Sequence, residues 1–283
     1  HGPIVLAGCA WLMRKRRVWS GICAVMLFGV LAAAFNAFRV EPFWLEVTRY
    51  RVTSAKISRP LKIVLLADLQ TDFVGSYERS VLRQILDEQP DVIMLAGDYL
   101  QEIDTERFEL LRIELRNYLA AIGFDAPMGV HAVQGNSDRR LWQDLFEGLP
   151  FTLYHHSGSS DVGEIRITGL SVNDGFDREV QIEASDKFHI VLAHGPDFAL
   201  GDIPADLLLA GHTHGGQVRV PVWGPIVTGP EITRIWTACM TNLQNGRKLI
   251  VSRGVGMERG DAPRIRFLCR PELAVIEVVP EEG

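Results

Sequence analysis

A chain of 283 residues that is 47% hydrophobic and 23% charged has the composition of one globular domain plus an appendage, with enough apolar material for a substantial core. The net charge of -6 and the lack of a long basic run exclude a nucleic-acid footprint spread over the domain, so no nucleic-acid partner is expected. Cys9, Cys23, Cys239 and Cys269 include no CxxC pair, which argues against a zinc ribbon or a dense disulfide framework and leaves Cys239 and Cys269 as a pair that could join.

Met13 directly precedes the basic cluster Arg14-Lys15-Arg16-Arg17 and is read as the natural start, which would put His1 outside the real protein. Residues 18–38, from Val18 to Phe38, carry no charge. As a helix they reach about 31 Å, enough to cross a bilayer core. Helices of globular domains seldom run so far without a polar face, so a single transmembrane signal anchor is expected here. Small residues at Leu31 to Ala34 and at Ala37 leave a cleaved signal peptide as the rival reading. Positive charge before the span favours a cytoplasmic segment 1–17 and a domain 39–283 on the far side of the cell membrane. Arg39, Arg49 and Arg51 weaken that bias and keep the cytoplasmic face open.

Glu41 to Arg59, with Leu45, Val47, Tyr50 and Val52, is expected to form an edge hairpin beside the membrane. Short apolar runs then recur at Ile63–Ala67, Val92–Ala96, Val130–Val133, His189–Ala193 and Leu207–Ala210. Such runs suit strands buried on both faces. Helical spacing fills Ser76–Glu88, with Val81, Leu82 and Ile85, and the stretch from Phe108 to Ile122, which Asp104 or Thr105 can cap. A shorter helix is expected over Arg139–Phe146, and strands from Thr152 to Leu170 around a Ser157-Gly158-Ser159-Ser160 turn. The fold class is therefore α/β, with two mixed sheets sandwiched and flanked by helices, preceded by one transmembrane helix.

Each apolar run ends in a polar cluster. The first gives Asp68-Leu69-Gln70, the second Gly97-Asp98, the third Gly135-Asn136-Ser137-Asp138, the fourth His194, and the fifth Gly211-His212-Thr213-His214. Ligands of open α/β sheets gather beyond the carboxyl ends of strands. Carboxylates, an amide and imidazoles collected there form the mixed oxygen and nitrogen donor set that manganese, iron or zinc accept. An aspartate after a strand is by itself usually a turn or cap residue; it is the set that carries the signal.

The order of these motifs resembles the calcineurin-like metallophosphoesterase superfamily, whose pattern is DxH, GD, GNH[DE], a lone His, and GHxH. "LKIVLLADLQ", "LLLAGHTHGGQVRVP" and "VSRGVGMERGDAPRIRFLCRPEL" are most similar to its membrane-associated bacterial branch of phosphodiesterases and UDP-2,3-diacylglucosamine pyrophosphatases. The resemblance covers roughly Leu45 to Val279. It implies two divalent metal ions, with Asp98 bridging, Asp68 and His214 on the first and Asn136, His194 and His212 on the second. It also implies catalytic roles for Asp98, Asn136 and His212, and substrate contacts from Asn136 and Ser137.

Two positions depart from the pattern. Gln70 replaces the first-motif histidine and offers a neutral, weaker oxygen donor, either to the metal or through a water. Ser137 replaces the histidine that contacts substrate and can protonate the leaving group. Such acid help is worth about 10²- to 10⁴-fold and matters most for poor leaving groups. A leaving phosphate monoester, with a second pKa of about 6, needs no proton at neutral pH. Anhydrides and activated diesters are thus favoured.

Outside the motifs, His155 and His156 are expected on the surface, and His131 and His189 within the sheets. Asp138 is expected to organise its loop and Asp72 to serve a turn. Arg264, Arg266 and Arg270 are open to a phosphate or lipid head group, or to surface pairing. The expected function is metal-dependent hydrolysis of a phosphorylated small molecule or lipid at the membrane. The alternative is a catalytically degraded binding or scaffold protein of the same fold.

Overall fold

In the computed structural model, residues 2–12, 17–226, 236, 239–258 and 263–281 are described. The basic cluster and Cys239's side chain lie outside the described residues and side chains. Helix α1 (Gly2–Leu12) is apolar and lies against α2 (Arg17–Phe35). Within the helical stretch Val18–Phe43, an 18-residue window has a mean hydropathy of 2.2 and no buried residue. By length and composition it can cross a membrane. It ends in a π-helical turn, Asn36–Val40, and a 3-10 turn, Glu41–Phe43.

The domain follows as β1 (Glu46–Ser54), β2 (Leu61–Leu66), α3 (Ser76–Asp87), β3 (Val92–Leu95), α4 (Thr105–Ala121), β4 (Val130–Val133), β5 (Phe151–Tyr154), β6 (Gly158–Val162), β7 (Ile165–Gly169) and the short α5 (Val172–Gly175). After these come β8 (Phe188–Leu192), β9 (Leu207–Ala210), a small β10/β11 ladder (Arg219–Val220 with Gly224–Pro225), β12 (Cys239–Asn242), β13 (Lys248–Val251) and β14 (Glu272–Pro280). One mixed sheet has the order β1-β14-β2-β3-β4-β5 and the other β12-β13-β9-β8-β7-β6.

Burial explains the five apolar runs. Side chains on one face of β2 and β3, such as Ile63, Leu65, Val92 and Met94, pack between the sheets against Ile167, Phe188, Ile190 and Leu209. The opposite face of the first sheet, with Val64, Leu66, Ile93 and Leu95, is covered by α3 and α4 through Val81, Leu82, Ile85 and Leu115. The second sheet's outer face is covered by Phe198 and Ile203 from a 3-10 turn and loop, so the long helices flank one side only. Asp104 caps α4, its Oδ1 accepting the Arg107 N–H at 2.8 Å.

Three local expectations are corrected. Glu41–Arg59 is not a hairpin, because β1 is a single strand paired in parallel with β14 from the far end of the chain. Arg139–Phe146 is helical only as a 3-10 segment over Trp142–Phe146, anchored by three buried apolar side chains. The Ser157–Ser160 turn is displaced: Gly158–Val162 is strand, and the chain reverses at Gly163, with φ 58°.

Candidate metal centre

The carboxyl ends of β2, β3 and β4 meet those of β8 and β9 at one rim. All eight expected residues are brought there, on loops tied together by backbone hydrogen bonds. Asp68 N–H donates to Gly97 O (3.1 Å), Gln70 N–H to Asp98 O (2.8 Å) and Gly211 N–H to His194 O (3.0 Å). The turns are sharp. Asp68, Gln70, Asp98, His212 and His214 all have φ between 38° and 69°, a region that costs an L-residue of order 1 kcal/mol and is concentrated at functional sites. Gly135 lies so close that a Cβ there would strike the Asp98 carboxylate.

The donor atoms converge. One atom from each of Asp68, Asp98 and His194 lies within 4.8 Å of the others. His194 Nδ1 is 2.8 Å from the Ala96 carbonyl, which can only accept, so Nδ1 carries the proton. When the ring carries that proton alone, Nε2 presents a lone pair, and that atom faces Asn136 Oδ1 at 2.7 Å and Asp98 Oδ2 at 3.6 Å. Lone pairs gathered this way repel unless a cation lies among them. His214 Nε2 stands 3.8 Å from Asp68 Oδ1, and its buried Nδ1 has no hydrogen-bond partner among the described residues.

Protonation fits the same purpose. Burial first, and then the charge of Arg266, holds His214 well below the usual imidazole range. Burial and the nearby His194 push His212 down to about 4. Both rings are neutral donors at neutral pH. Asp68 is pushed well above the carboxylate range by burial and by the Asp98 charge, a penalty that a cation between them would reverse. The donor set thus fits divalent metal.

Gln70 is buried, and its Nε2 donates to Asp98 Oδ2 (3.1 Å), Ser137 Oγ (3.3 Å) and Glu258 Oε2 (3.3 Å). Ser137 N–H donates to Asp98 Oδ1 at 2.8 Å. Asp138 organises the loop, its carboxylate accepting the N–H groups of Asp98, Tyr99 and Gly135. Burial and the Asp98 charge push it up to about 8.

Two residues at the site lie outside the five motifs, although Glu258 falls within the third stretch that carries the resemblance. Glu258 also accepts from Gln101 Nε2 at 3.0 Å; an acid inside a Gly-Met-Glu-Arg loop gives no spacing signal. Phe176 sets its ring 4.8 Å from that of His212 and walls the cleft.

Of the three arginines, Arg266 departs from the expected exposure, whereas Arg264 forms a surface pair. Arg266 is fully buried, and its guanidinium donates to the carbonyls of Arg253, Gly254, Gly256 and Cys269. Arg264 pairs with Asp72 at 2.7 Å, and Arg270 lies over the Trp44 ring. Asp72 is thus an ion-pair partner as well as a turn residue. Cys269 is a free, buried thiol. His155 and His156 are exposed and His131 and His189 buried, as expected.

Two sheets whose facing ends hold this acid, amide and imidazole cluster define a metallophosphoesterase, and residues 61–216 match the calcineurin-like phosphoesterase family. The chain belongs to that family. It is 31% identical over 287 residues to the uncharacterized metallophosphoesterase YkuE of Bacillus subtilis, covering 93% of this chain and 96% of that one. Phosphodiesterase YaeI of Escherichia coli is 29% identical, with 84% and 90% covered. UDP-2,3-diacylglucosamine pyrophosphatase LpxG of Chlamydia trachomatis is 23% identical, with 87% and 92% covered.

Proposed function

We propose that this chain is a membrane-anchored hydrolase of phosphodiesters or phosphoanhydrides that uses two divalent metal ions (manganese, iron or zinc). The observation that carries the reading is the convergence of His194 Nε2 on Asn136 Oδ1 and Asp98 Oδ2, inside the Asp68–Asp98–His194 group. In this reading Asp98 is shared. Asp68, Gln70 and His214 serve the first metal, and Asn136, His194 and His212 the second. Bound there, the metals would lower the pKa of a water and offset charge on the phosphoryl and departing oxygens.

The chain's own residues set the rest. The Ala96 carbonyl fixes the His194 tautomer, and the Ser137 N–H orients the Asp98 carboxylate. Asn136 is exposed at the mouth of the cleft and can donate its amide N–H to a phosphoryl oxygen. Water oxygen forms its bond to phosphorus in line as the bond to the departing oxygen breaks. Ser137 offers no acid comparable to imidazole, so departing groups that leave as stable anions are preferred. The phosphodiesterase and pyrophosphatase names of two relatives support this substrate range. The substrate is a phosphorylated small molecule or lipid, met by a catalytic domain over 39–283 that a span over 18–38 holds at the cell membrane, on its extracytoplasmic side, with residues 1–17 in the cytoplasm.

The second reading, a degraded binding protein, draws on Gln70, whose amide nitrogen sits among three oxygens much as a cation would. Hydrolysis of bis(p-nitrophenyl) phosphate with and without manganese separates the two. Manganese-dependent turnover lost in Asp98→Asn supports the enzyme; turnover unchanged by that substitution refutes the role given to Asp98.

A further inference from the structure

We propose that the cavity between the end of the apolar helix and the domain holds the acyl chain of a bilayer amphiphile whose phosphate reaches the metal centre. This deepens the hydrolase reading above and rests on it for the fate of the phosphate, though not for the binding of the chain.

Topology places the membrane end and the centre on the same side. β1 is parallel to β14, which is antiparallel to β2. The first residue of β1, Glu46, therefore lies beside Glu272 at the carboxyl end of β2, where Asp68 stands. Had β1 paired in the other direction, the helix would enter at the opposite rim.

The helix end is also braced rather than loosely tethered. Ala37 and Glu41 are 3% and 4% exposed. Ala37 O accepts the Arg266 N–H at 3.0 Å, the Glu41 carboxylate accepts the Cys269 N–H and Asn36 Nδ2, and Trp44 O accepts from Arg270. The Cys269 thiol in turn donates to His214 O at 3.4 Å. One chain of contacts thus runs from the helix end to a centre residue, fixing the depth of the centre relative to the bilayer surface.

Between them opens a cavity of about 740 Å³, walled by Phe38, Phe43, Phe73, Tyr77 and Met257. That volume is typical of sites for small organic ligands. Phe73 is 67% exposed and Phe38 45%; apolar groups grouped at the mouth of a cavity mark a binding surface. Arg39 and Arg264 contribute guanidiniums to the same lining, beside the carboxylates of Asp72, which pairs with Arg264 at 2.7 Å, and Glu78; Arg39, next to the apolar helix end, is the cation suited to an anionic head group. The cavity abuts the centre: Met257 precedes Glu258, which bonds Gln70, and Asp72, also in the lining, is two residues beyond Gln70. An apolar wall continuous with an exposed apolar helix, with Arg39 in its lining and the phosphate site adjoining it, commits the occupant to a membrane lipid with a phosphorylated head.

The test uses the full chain in lipid nanodiscs containing a phosphatidic acid with a diazirine on its acyl chain. Photolabel is expected on peptides carrying Phe38, Phe73 and Met257, reduced at least fivefold by the cavity-filling Ser76→Trp and by Phe73→Ser. Label confined to the outward surface of the helix overturns the proposal. A second arm measures kcat/KM for 4-nitrophenyl alkyl phosphodiesters with two to eight carbons. About a two- to fourfold rise per methylene is expected, up to the full value for a buried CH₂, with a flatter slope in both variants; no dependence on chain length in the unmodified protein overturns the proposal. If no ester is cleaved but the cavity is labelled, the hydrolase reading fails and the lipid site stands.

Discussion

Arg266→Met removes a guanidinium that is fully buried and gives five hydrogen bonds to four backbone carbonyls. Bonds from a charged donor contribute about 1.5–3 kcal/mol each, and an orphaned buried acceptor costs about 1–3 kcal/mol. Burial depresses the Arg266 pKa, so relief of desolvation offsets several kcal/mol of that sum. A net loss of about 3–5 kcal/mol follows. With a urea m-value of roughly 2–3 kcal/mol/M, the unfolding midpoint should fall by about 1–2.5 M. Metal binding should fall with it, because the carbonyls belong to the turn in which Gly256 N–H donates to Asp68 O at 2.7 Å and a Cβ on Gly254 would lie 2.6 Å from Asp68 Cβ. Urea titration of the full chain in detergent, followed by circular dichroism and repeated with manganese, reads both effects. An unchanged midpoint with unchanged manganese affinity would refute the claim that Arg266 holds the turn beneath Asp68.

Ser137→His should raise kcat/KM by about 10²-fold or more for alkyl diesters and little for anhydrides; an equal rise for both would sink the leaving-group argument. Glu258→Gln should weaken manganese binding by roughly tenfold, from the loss of a negative charge that touches the centre through Gln70 Nε2, discounted for solvent screening. Calorimetric titration checks it, and unchanged affinity would remove Glu258 from the electrostatics of the centre. Between pH 6.5 and 8 the metal-free protein should lose about 1–2 kcal/mol of stability. Asp138, raised to about 8, contributes stability that is complete below its unfolded pKa of about 3.9 and is lost as pH rises through the folded value. His212, lowered to about 4, acts oppositely, losing its contribution only as pH falls below about 6.5. Melting temperatures of the metal-free and manganese-loaded chains should therefore diverge as pH rises from 6.5 to 8.

Strands buried on both faces announced themselves as unbroken apolar runs, and the polar residues after the runs marked the rim because the loops at the carboxyl ends of these strands converge. The pairing of β1 was hidden: its partner Glu272–Pro280 lies more than 200 residues away, and a local alternation cannot distinguish a hairpin from a distant parallel neighbour. The bracing of the helix end was hidden for a different reason. It is made by backbone groups of Ala37 and Arg266 and by one buried carboxylate, Glu41, within a stretch whose apolar character alone reads as membrane span. Arg266 read as a head-group contact or a surface pair because a fully buried arginine held by carbonyls is rare. The positive φ at Asp68 and Asp98 had no sequence signal at all, since neither is glycine.

Metal content of the purified full chain, set beside that of Asp98→Asn, bears most directly on the centre. Close to two divalent ions per chain, falling towards none when Asp98 is replaced, is the predicted result. A wild-type chain that holds no divalent ion after incubation with manganese, iron or zinc, while remaining folded, would contradict it.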